Sequence, residues 1–144
     1  MANVIPDSFK TDLLKGTFNF DSSGGSTFKL ALYTDISGLT TSTAAFTATN
    51  EVGTSGTNYS SGGNALTNNG VSISSNIAFV DFADLTFSSV TLSAVGALIY
   101  KSSSGNEAVL VLDFGGTKTA TNGDFVVQFP TASNSAAIIR LGNA

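Results

Sequence analysis

The sequence predicts an all-β fold, an antiparallel β-sandwich that is jelly-roll-like and carries a short N-terminal helix. Its strongest feature is a pair of apolar runs, residues 94–100 and 108–112, joined by Lys-Ser-Ser-Ser-Gly-Asn at 101–106. Two such runs around a short turn-forming loop indicate an antiparallel hairpin. Because each run is apolar on both faces, the hairpin should lie centrally between packed layers. Roughly nine short strand candidates along the chain are typical of a sandwich or barrel.

Length and composition favour one domain. The chain has 144 residues, of which 42% are hydrophobic and only 11% are charged. A chain of this size buries a sizeable core without disulfides, and so few charges argue against disorder. We therefore expect a single sandwich domain over residues 1–144, in which residues 1–16 form an N-terminal arm and the short helix.

The charge and the missing residue types exclude several functions. The net charge is −4 and the six basic residues are scattered from Lys10 to Arg140, so we expect no nucleic-acid partner. His and Cys are absent, which excludes Ser–His–Asp and Cys–His catalysis and His/Cys metal sites. The N-terminus lacks a signal-peptide pattern and no apolar run reaches 18 residues, so we expect no membrane association.

The first element predicted is the helix. Pro6 suits a first helical turn, Asp7 or Ser8 favours the positive end of the helix dipole, and Gly16 can adopt the left-handed conformation just past the end. An apolar stripe is predicted from Phe9, Leu13 and Leu14. The helix either covers an open edge of the sheet or is an arm that docks on a partner.

The remaining strands follow the apolar alternation along the chain. They are predicted at residues 17–20, 27–33, 71–73, 77–82, 85–87, 90–92, 124–129 and 136–141. The strand at 27–33 alternates cleanly and should be half-buried. Gly115-Gly116 should end the central hairpin, and residues 121–123 should form another turn. In the strand that follows, Phe125, Val127 and Phe129 should point inward.

Residues 34–70 form a long stretch rich in Thr, Ser, Gly and Asn. A loop this long in a small domain is usually functional. Because it holds few large apolar residues, we expect it to add little to the core and, with the residues before Phe9, to contact a partner. Hydrogen bonds and shape, rather than ion pairs, should dominate such a contact. The alternative is a solvated connection across the sandwich.

Two pairs of carboxylates, Asp81 with Asp84 and Asp113 with Asp124, could serve as an acid and a base, and Asp81, Asp84 or Asp113 could offer oxygen ligands to Ca²⁺. Asp is a common turn residue, however, and no EF-hand pattern is present. The glycines within 53–63 do not follow a strand and open a helix, as phosphate-binding glycines do. We therefore predict no catalytic residue, no metal, no cofactor and no enzymatic activity.

The eleven Phe residues, in a chain without Trp, predict core packing rather than a ligand-stacking platform. The central hairpin supplies five further core predictions, namely Leu98, Ile99, Val109, Val111 and Phe114.

Short motifs spread over residues 8–141 form a distinctive combination. They are Phe9 with Leu13-Leu14 and Gly16, the run 27–34, Asn50-Glu51-Val52, the Gly/Tyr-rich stretch ending in Gly62-Gly63, Phe79-x-Asp81-Phe82-x-Asp84, and the runs 96–100, 111–115 and 122–125. This combination resembles a family of small virion structural proteins of tailed bacteriophages. The motifs are structural rather than catalytic.

The resemblance implies a capsid cement or decoration protein in the virion, on the capsid surface, made in the host cytoplasm. It implies the major capsid protein as a partner and a homo-oligomer, a homotrimer at threefold or quasi-threefold positions of the shell. The alternatives are a neck or tail component, and a carbohydrate-binding or host-receptor-binding module of the tail.

Overall fold

The computed structural model describes residues 2–143 and shows two antiparallel sheets and one short helix, which confirms the predicted all-β sandwich. The elements are α1 (Asp7–Leu14), β1 (Phe28–Tyr33), β2 (Asn64–Ala65), β3 (Asn68–Ser74), β4 (Ile77–Phe82), β5 (Leu85–Lys101), β6 (Ala108–Val127) and β7 (Ile139–Leu141). The four-stranded sheet has the order β2-β1-β5-β6, and the three-stranded sheet has the order β3-β4-β7. Over residues 2–143, no helix has the length and apolar character needed to cross a membrane.

The predicted central hairpin is part of a longer hairpin, of which it forms the half next to the connecting loop. Strands β5 and β6 pair from Leu85 opposite Val127 to Tyr100 opposite Ala108. Four of the five predicted core residues are fully buried, namely Leu98, Ile99, Val109 and Val111. Phe114 is only partly buried, because β6 leaves its regular pairing with β5 just beyond Asp113.

Two predicted interruptions of the hairpin are wrong, since β6 runs through both Gly115-Gly116 and residues 121–123. Gly115 and Gly116 have φ values of 75° and 146°, and Asn122 has a φ of 45°. The register shifts at both places, so the turn-forming residues produce β-bulges instead of chain reversals. The strands predicted at 85–87 and 90–92 are likewise parts of the one strand β5.

The prediction that Phe125, Val127 and Phe129 point inward is correct. Phe125, Val127 and Phe129 are 6%, 5% and 9% exposed. Their strand is the end of β6, which stops at Val127, just short of Phe129.

Strand β1 was predicted to be half-buried, but it is buried on both faces. Phe28, Leu30 and Leu32 belong to the core between the sheets. Ala31 and Tyr33, on the opposite face, belong to a second apolar cluster and have no exposed surface. The reason is that β1 is an inner strand, paired with β2 on one side and β5 on the other, and that both faces of its sheet are covered.

The second cluster lies on the outer face of the four-stranded sheet. Ile36 and Leu39 are buried there and Phe46 is partly buried, so residues 34–46 form a covering layer. Val4 completes the layer and exchanges two backbone hydrogen bonds with Val111, of 2.9 and 2.8 Å. The N-terminal arm is therefore an integral part of the sandwich.

Helix α1 follows Pro6, and Gly16 adopts the predicted left-handed conformation with a φ of 79°. Phe9 is buried and Leu13 packs against the core, but Leu14 is 86% exposed, so its place in the apolar stripe is wrong. Five residues along a helix correspond to a rotation of about 140°, which turns Leu14 away from Phe9.

Residues 17–20 do not form the predicted strand, although Phe18 and Phe20 are buried. Their rings join those of Phe9 and Phe28 in one cluster, in which the Phe20 and Phe28 rings lie 4.8 Å apart and nearly parallel. Ring packing, rather than strand pairing, holds this segment. The helix thereby closes one end of the core.

The three-stranded sheet packs on the other side of the core through Val80, Phe82 and Ile139. Strands β3 and β4 are joined by a tight turn in which Ser75 and Asn76 have φ values of 50° and 63°. The predicted strands at 71–73 and 77–82 are confirmed, and the one predicted at 136–141 is shorter, at Ile139–Leu141.

Candidate functional site

The segment 34–70, predicted to contact a partner, lacks long elements of secondary structure but is anchored to the sandwich throughout its length. Its buried side chains are Ile36, Leu39, Val52, Tyr59 and Leu66. The expectation that the segment adds little to the core is therefore wrong. Apart from Ile36 and Leu39, which are three positions apart, these residues are separated by long polar stretches, so no sustained helical or strand period reveals them.

Glu51 is the polar centre of the segment. Its Oε1 accepts hydrogen bonds from the Tyr59 hydroxyl at 2.8 Å and from the Gly62 backbone N–H at 2.5 Å, and its Oε2 accepts one from Ser61 Oγ at 2.9 Å. The Tyr59 hydroxyl also accepts a hydrogen bond from the backbone N–H of Leu32 in β1, at 3.0 Å. One carboxylate thus holds the loop 59–62 closed against the four-stranded sheet.

The two other tyrosines of the chain also anchor parts of the segment 34–70. The Tyr33 hydroxyl donates to the backbone oxygen of Thr47 at 2.6 Å, and the Tyr100 hydroxyl donates to that of Gly62 at 2.7 Å. Burial raises the pKa of Tyr33 and of Tyr59 far above the usual range of a phenol, and the negative charge of Glu51 raises both further. All three hydroxyls therefore remain protonated donors at neutral pH, which suits structural anchors and not bases.

This burial predicts a loss of stability in alkali. A phenol whose pKa is raised on folding stabilises the protein below its unfolded pKa, here 10.0, and that contribution is lost as the pH rises above it. We expect the melting temperature to fall progressively once the pH rises above about 10. Tyr59→Phe should melt at a lower temperature at neutral pH, because it loses two hydrogen bonds, but should show a shallower alkaline fall. Equal slopes for the two proteins would contradict this role of Tyr59.

The exposed parts of the segment are its turns. Residues 40–42, 48–50 and 53–56 are exposed. Within 34–70 the only ionisable side chains besides the buried Tyr59 are Asp35 and Glu51. Asp35 caps a turn, since its Oδ1 accepts the N–H of Ser37 at 2.8 Å, and this bond lowers its pKa. A shallow groove of about 250 Å³ lies between Asp35, Leu39, Thr47 and Asn50. The surface that results is polar and almost uncharged.

The N-terminal arm lies directly beside this surface. The backbone N–H of Asp7 donates to the oxygen of Thr41 at 2.8 Å, and the Ser8 hydroxyl donates to that of Thr43 at 3.4 Å. The two stretches that the sequence suggested would act together therefore form one continuous surface, which we call the arm–loop surface (residues 2–8 and 34–56).

The four carboxylates considered as acids and bases all accept hydrogen bonds within the fold, three of them from backbone N–H groups and one from a side-chain amide. Asp84 Oδ1 accepts the N–H of Phe129 at 2.8 Å, and Asp113 Oδ1 accepts that of Gly115 at the same distance. Asp81 accepts a hydrogen bond from the Asn69 amide at 2.8 Å, and Asp124 accepts the N–H of Ser89 at 3.3 Å. Among residues 2–143, no group of three or more acidic side chains could hold a metal ion.

The network around Glu51 was not foreseen from the sequence. Glu51 entered only as a motif of the family resemblance, the Gly62-Gly63 pair entered there and among the loop glycines of 53–63, and Tyr33 entered only as part of the strand and motif at 27–34. A signal does exist, because Glu51 is one of only two acidic residues in 37 residues and Tyr59 follows it closely. An isolated carboxylate in such a stretch needs partners if it is to lie against a sheet.

Comparison of the chain with family models, curated proteins and solved structures found no match.

Proposed function

We propose that this chain is a non-enzymatic structural protein of a phage virion, a capsid cement or decoration protein that binds the head shell through the arm–loop surface. The motif combination that resembles the small virion proteins supports the proposed role in a phage virion. The observation that carries the mode of binding is the contact of Asp7 and Ser8 with residues 41–43, which unites two stretches into one surface. Many copies of a modest interface add up to a strongly reinforced shell.

The partners in this proposal are the major capsid protein and further copies of the chain. From the resemblance, the assembled form is a homotrimer on threefold or quasi-threefold positions, and closed symmetry is the norm for self-association. The chain would be made in the host cytoplasm and act in the virion, on the capsid surface. Its hydroxyl and amide groups would bind by hydrogen bonds and shape, so binding should weaken only slightly with salt.

A neck or tail component would use the same kind of rigid sandwich. A carbohydrate-binding module is less well supported, because sugar stacking needs an exposed Tyr or Trp ring. The chain has no Trp, and its three tyrosines are at most 3% exposed.

Head binding should depend on the exposed turns of the arm–loop surface. Ser42 and Ser55 are exposed, so an arginine at either position should leave the fold intact while adding bulk and charge to a contact that is almost uncharged. We expect Ser42→Arg with Ser55→Arg to lower the occupancy on heads lacking the native protein by roughly tenfold. Occupancy is measured by quantitative gel analysis of purified heads and by cryo-electron microscopy.

The matched control is Thr86→Arg, an exposed position on β5 that lies opposite Val126 and outside the arm–loop surface. It should coat heads like the wild type. Full occupancy by the double variant would refute the arm–loop contact while leaving a role on the head intact. Density for the chain only at the neck or tail of the parent particle would refute the cement role itself.

A further inference from the structure

An apolar shelf extends from one end of the three-stranded sheet. Its exposed members are Val71, Ile73 and Leu141, which are 51%, 74% and 60% exposed, and Ala78 lies between them. The structure has only six exposed large hydrophobic side chains over residues 2–143, and three of them are in this shelf. Isolated exposed apolar residues are common, but a contiguous group marks a contact site.

The strand register shows that the shelf belongs to the core-facing side of the sheet. Val71, Val80 and Ile139 form one row across β3, β4 and β7, and the last two of these are buried in the core. Ile73, Ala78 and Leu141 form the next row on the same face. The sheet therefore projects beyond the four-stranded sheet, and its burying face continues without a covering layer.

The end of helix α1 borders the shelf. Leu13 and Phe20, together with Val71 and Leu141, line a groove of about 130 Å³ whose lining residues are all apolar. Leu14, the last residue of the helix, is 86% exposed. A groove of this size and lining accepts aliphatic side chains of the kind that the shelf itself presents.

The shelf also includes an unprotected strand edge. Strand β3 lies at the edge of its sheet, and its sequence Asn-Asn-Gly-Val-Ser-Ile-Ser contains neither a charge nor a proline. Natural proteins usually blunt such edges with charged residues, proline or a cover. A bulge lies at 68–70, but from Val71 to Ser74 the pairing with β4 is regular, so this stretch can pair with another strand.

The shelf carries no charge. The two shelf rows carry no ionisable group, and Arg140, which faces the other way, is held by the backbone oxygen of Asn134 at 3.0 Å. A partner that binds through charged side chains would find no group of opposite charge on the shelf. Two copies of a chain with net charge −4, in contrast, can meet at an uncharged face without placing like charges in contact.

We propose that the apolar shelf and the β3 edge are covered by a second copy of this chain. A typical large apolar patch measures roughly 300–600 Å² and a stable interface about 800 Å² per partner, so the shelf would form the dry centre and the Ser and Asn side chains of β3 the rim. The shelf lies on the three-stranded sheet, and the covering layer 34–46 lies on the outer face of the other sheet. Self-association would therefore leave that layer accessible, and the inference does not depend on the proposed function.

The test is the oligomeric state of the purified full chain, measured by analytical ultracentrifugation from low to high micromolar concentration. We expect the wild type to form a closed oligomer, and Ile73→Ser with Leu141→Ser to weaken its association by roughly a hundredfold. Both side chains are largely exposed, so the fold should survive, which circular dichroism and thermal melting verify. The matched control is Val126→Ser, which removes a side chain that is 55% exposed on β6, and it should associate like the wild type.

Three outcomes would overturn the proposal. The wild type could be monomeric at every concentration, or its oligomer could persist unchanged in the double serine variant. The third is a monomer whose attachment to heads is abolished by the same two substitutions, which would make the shell protein the occupant of the shelf.

Discussion

Replacing Leu98 with aspartate should prevent the chain from folding into a soluble protein. Leu98 has no exposed surface and lies in one row with Ala31 of β1, Val111 of β6 and, through the backbone bridge of Val111, Val4 of the arm. The variant loses about 1.5–3 kcal/mol of apolar burial and buries a polar group without partners at a further cost of roughly 2–7 kcal/mol. Together these losses are comparable with the whole stability of a domain, about 5–15 kcal/mol.

Val126→Asp is the matched control, because Val126 is 55% exposed although it lies in the same hairpin. It should remain soluble, with a melting temperature within a few degrees of the wild type. Measurements of soluble expression and of thermal melting of both variants test this prediction. Unchanged melting of Leu98→Asp would show that the hairpin does not form the centre of the fold.

The hairpin shows what a sequence pattern can predict and where it fails. The runs 94–100 and 108–112 are apolar on both faces, so their central burial could be predicted from composition alone. The extent of the strands could not, because Gly115-Gly116 and Asn122 are residues that turns and bulges share. Such residues form a bulge, and not a turn, where the residues before and after them stay paired with the same neighbouring strand. Here the residues on both sides of each bulge in β6 are paired with β5.

The covering layer on the four-stranded sheet was missed for a related reason. Ile36, Leu39 and Phe46 lie among small and polar residues, and Ile36 and Leu39 flank one turn that is closed by a hydrogen bond from the Leu39 N–H to the Ile36 oxygen. Their burial depends on a tertiary contact with Tyr33, Leu98 and Tyr100. The prediction that β1 is half-buried was wrong for the same reason. The sequence of β1 does not indicate that another segment covers Ala31 and Tyr33.

The candidate site was predictable as a region but not as a structure. The composition of 34–70 indicated a polar, nearly uncharged surface, and its exposed turns carry one charged side chain, Asp35. The arrangement of those turns depends on Glu51, whose three hydrogen-bond partners lie 8 to 11 residues along the chain. Hydrogen bonds at that separation have no sequence period, so only the folded chain reveals that one carboxylate sets the shape of the loop.

A single methyl group at Gly63 should destabilise the protein nearly as much as a buried charge. Gly63 has a φ of 72°, and a Cβ atom there would overlap the backbone oxygen and carbon of Leu30 and the Cα of Ala31. Neither Leu30 nor Ala31 can move aside, because β1 is paired with β5 along its whole length and Leu30 is also paired with Asn64. Gly63→Ala must therefore detach the loop 59–63 from β1, which also disrupts the hydrogen bonds that Glu51 and Tyr100 make to Gly62.

Gly56→Ala separates the steric overlap from the backbone preference of glycine. Gly56 has nearly the same φ, 70°, but nothing lies within 4 Å of its Cβ position. An alanine there incurs only the left-handed conformation, about 1–2 kcal/mol, or a fall in melting temperature of roughly 5 °C. For Gly63→Ala we expect a loss of about 4 kcal/mol or more, seen as a fall of at least roughly 15 °C or as insoluble protein. If the two variants melted at the same temperature, the close approach of Gly63 to β1 would contribute nothing to stability, and the loop would be held by Glu51 and the tyrosines alone.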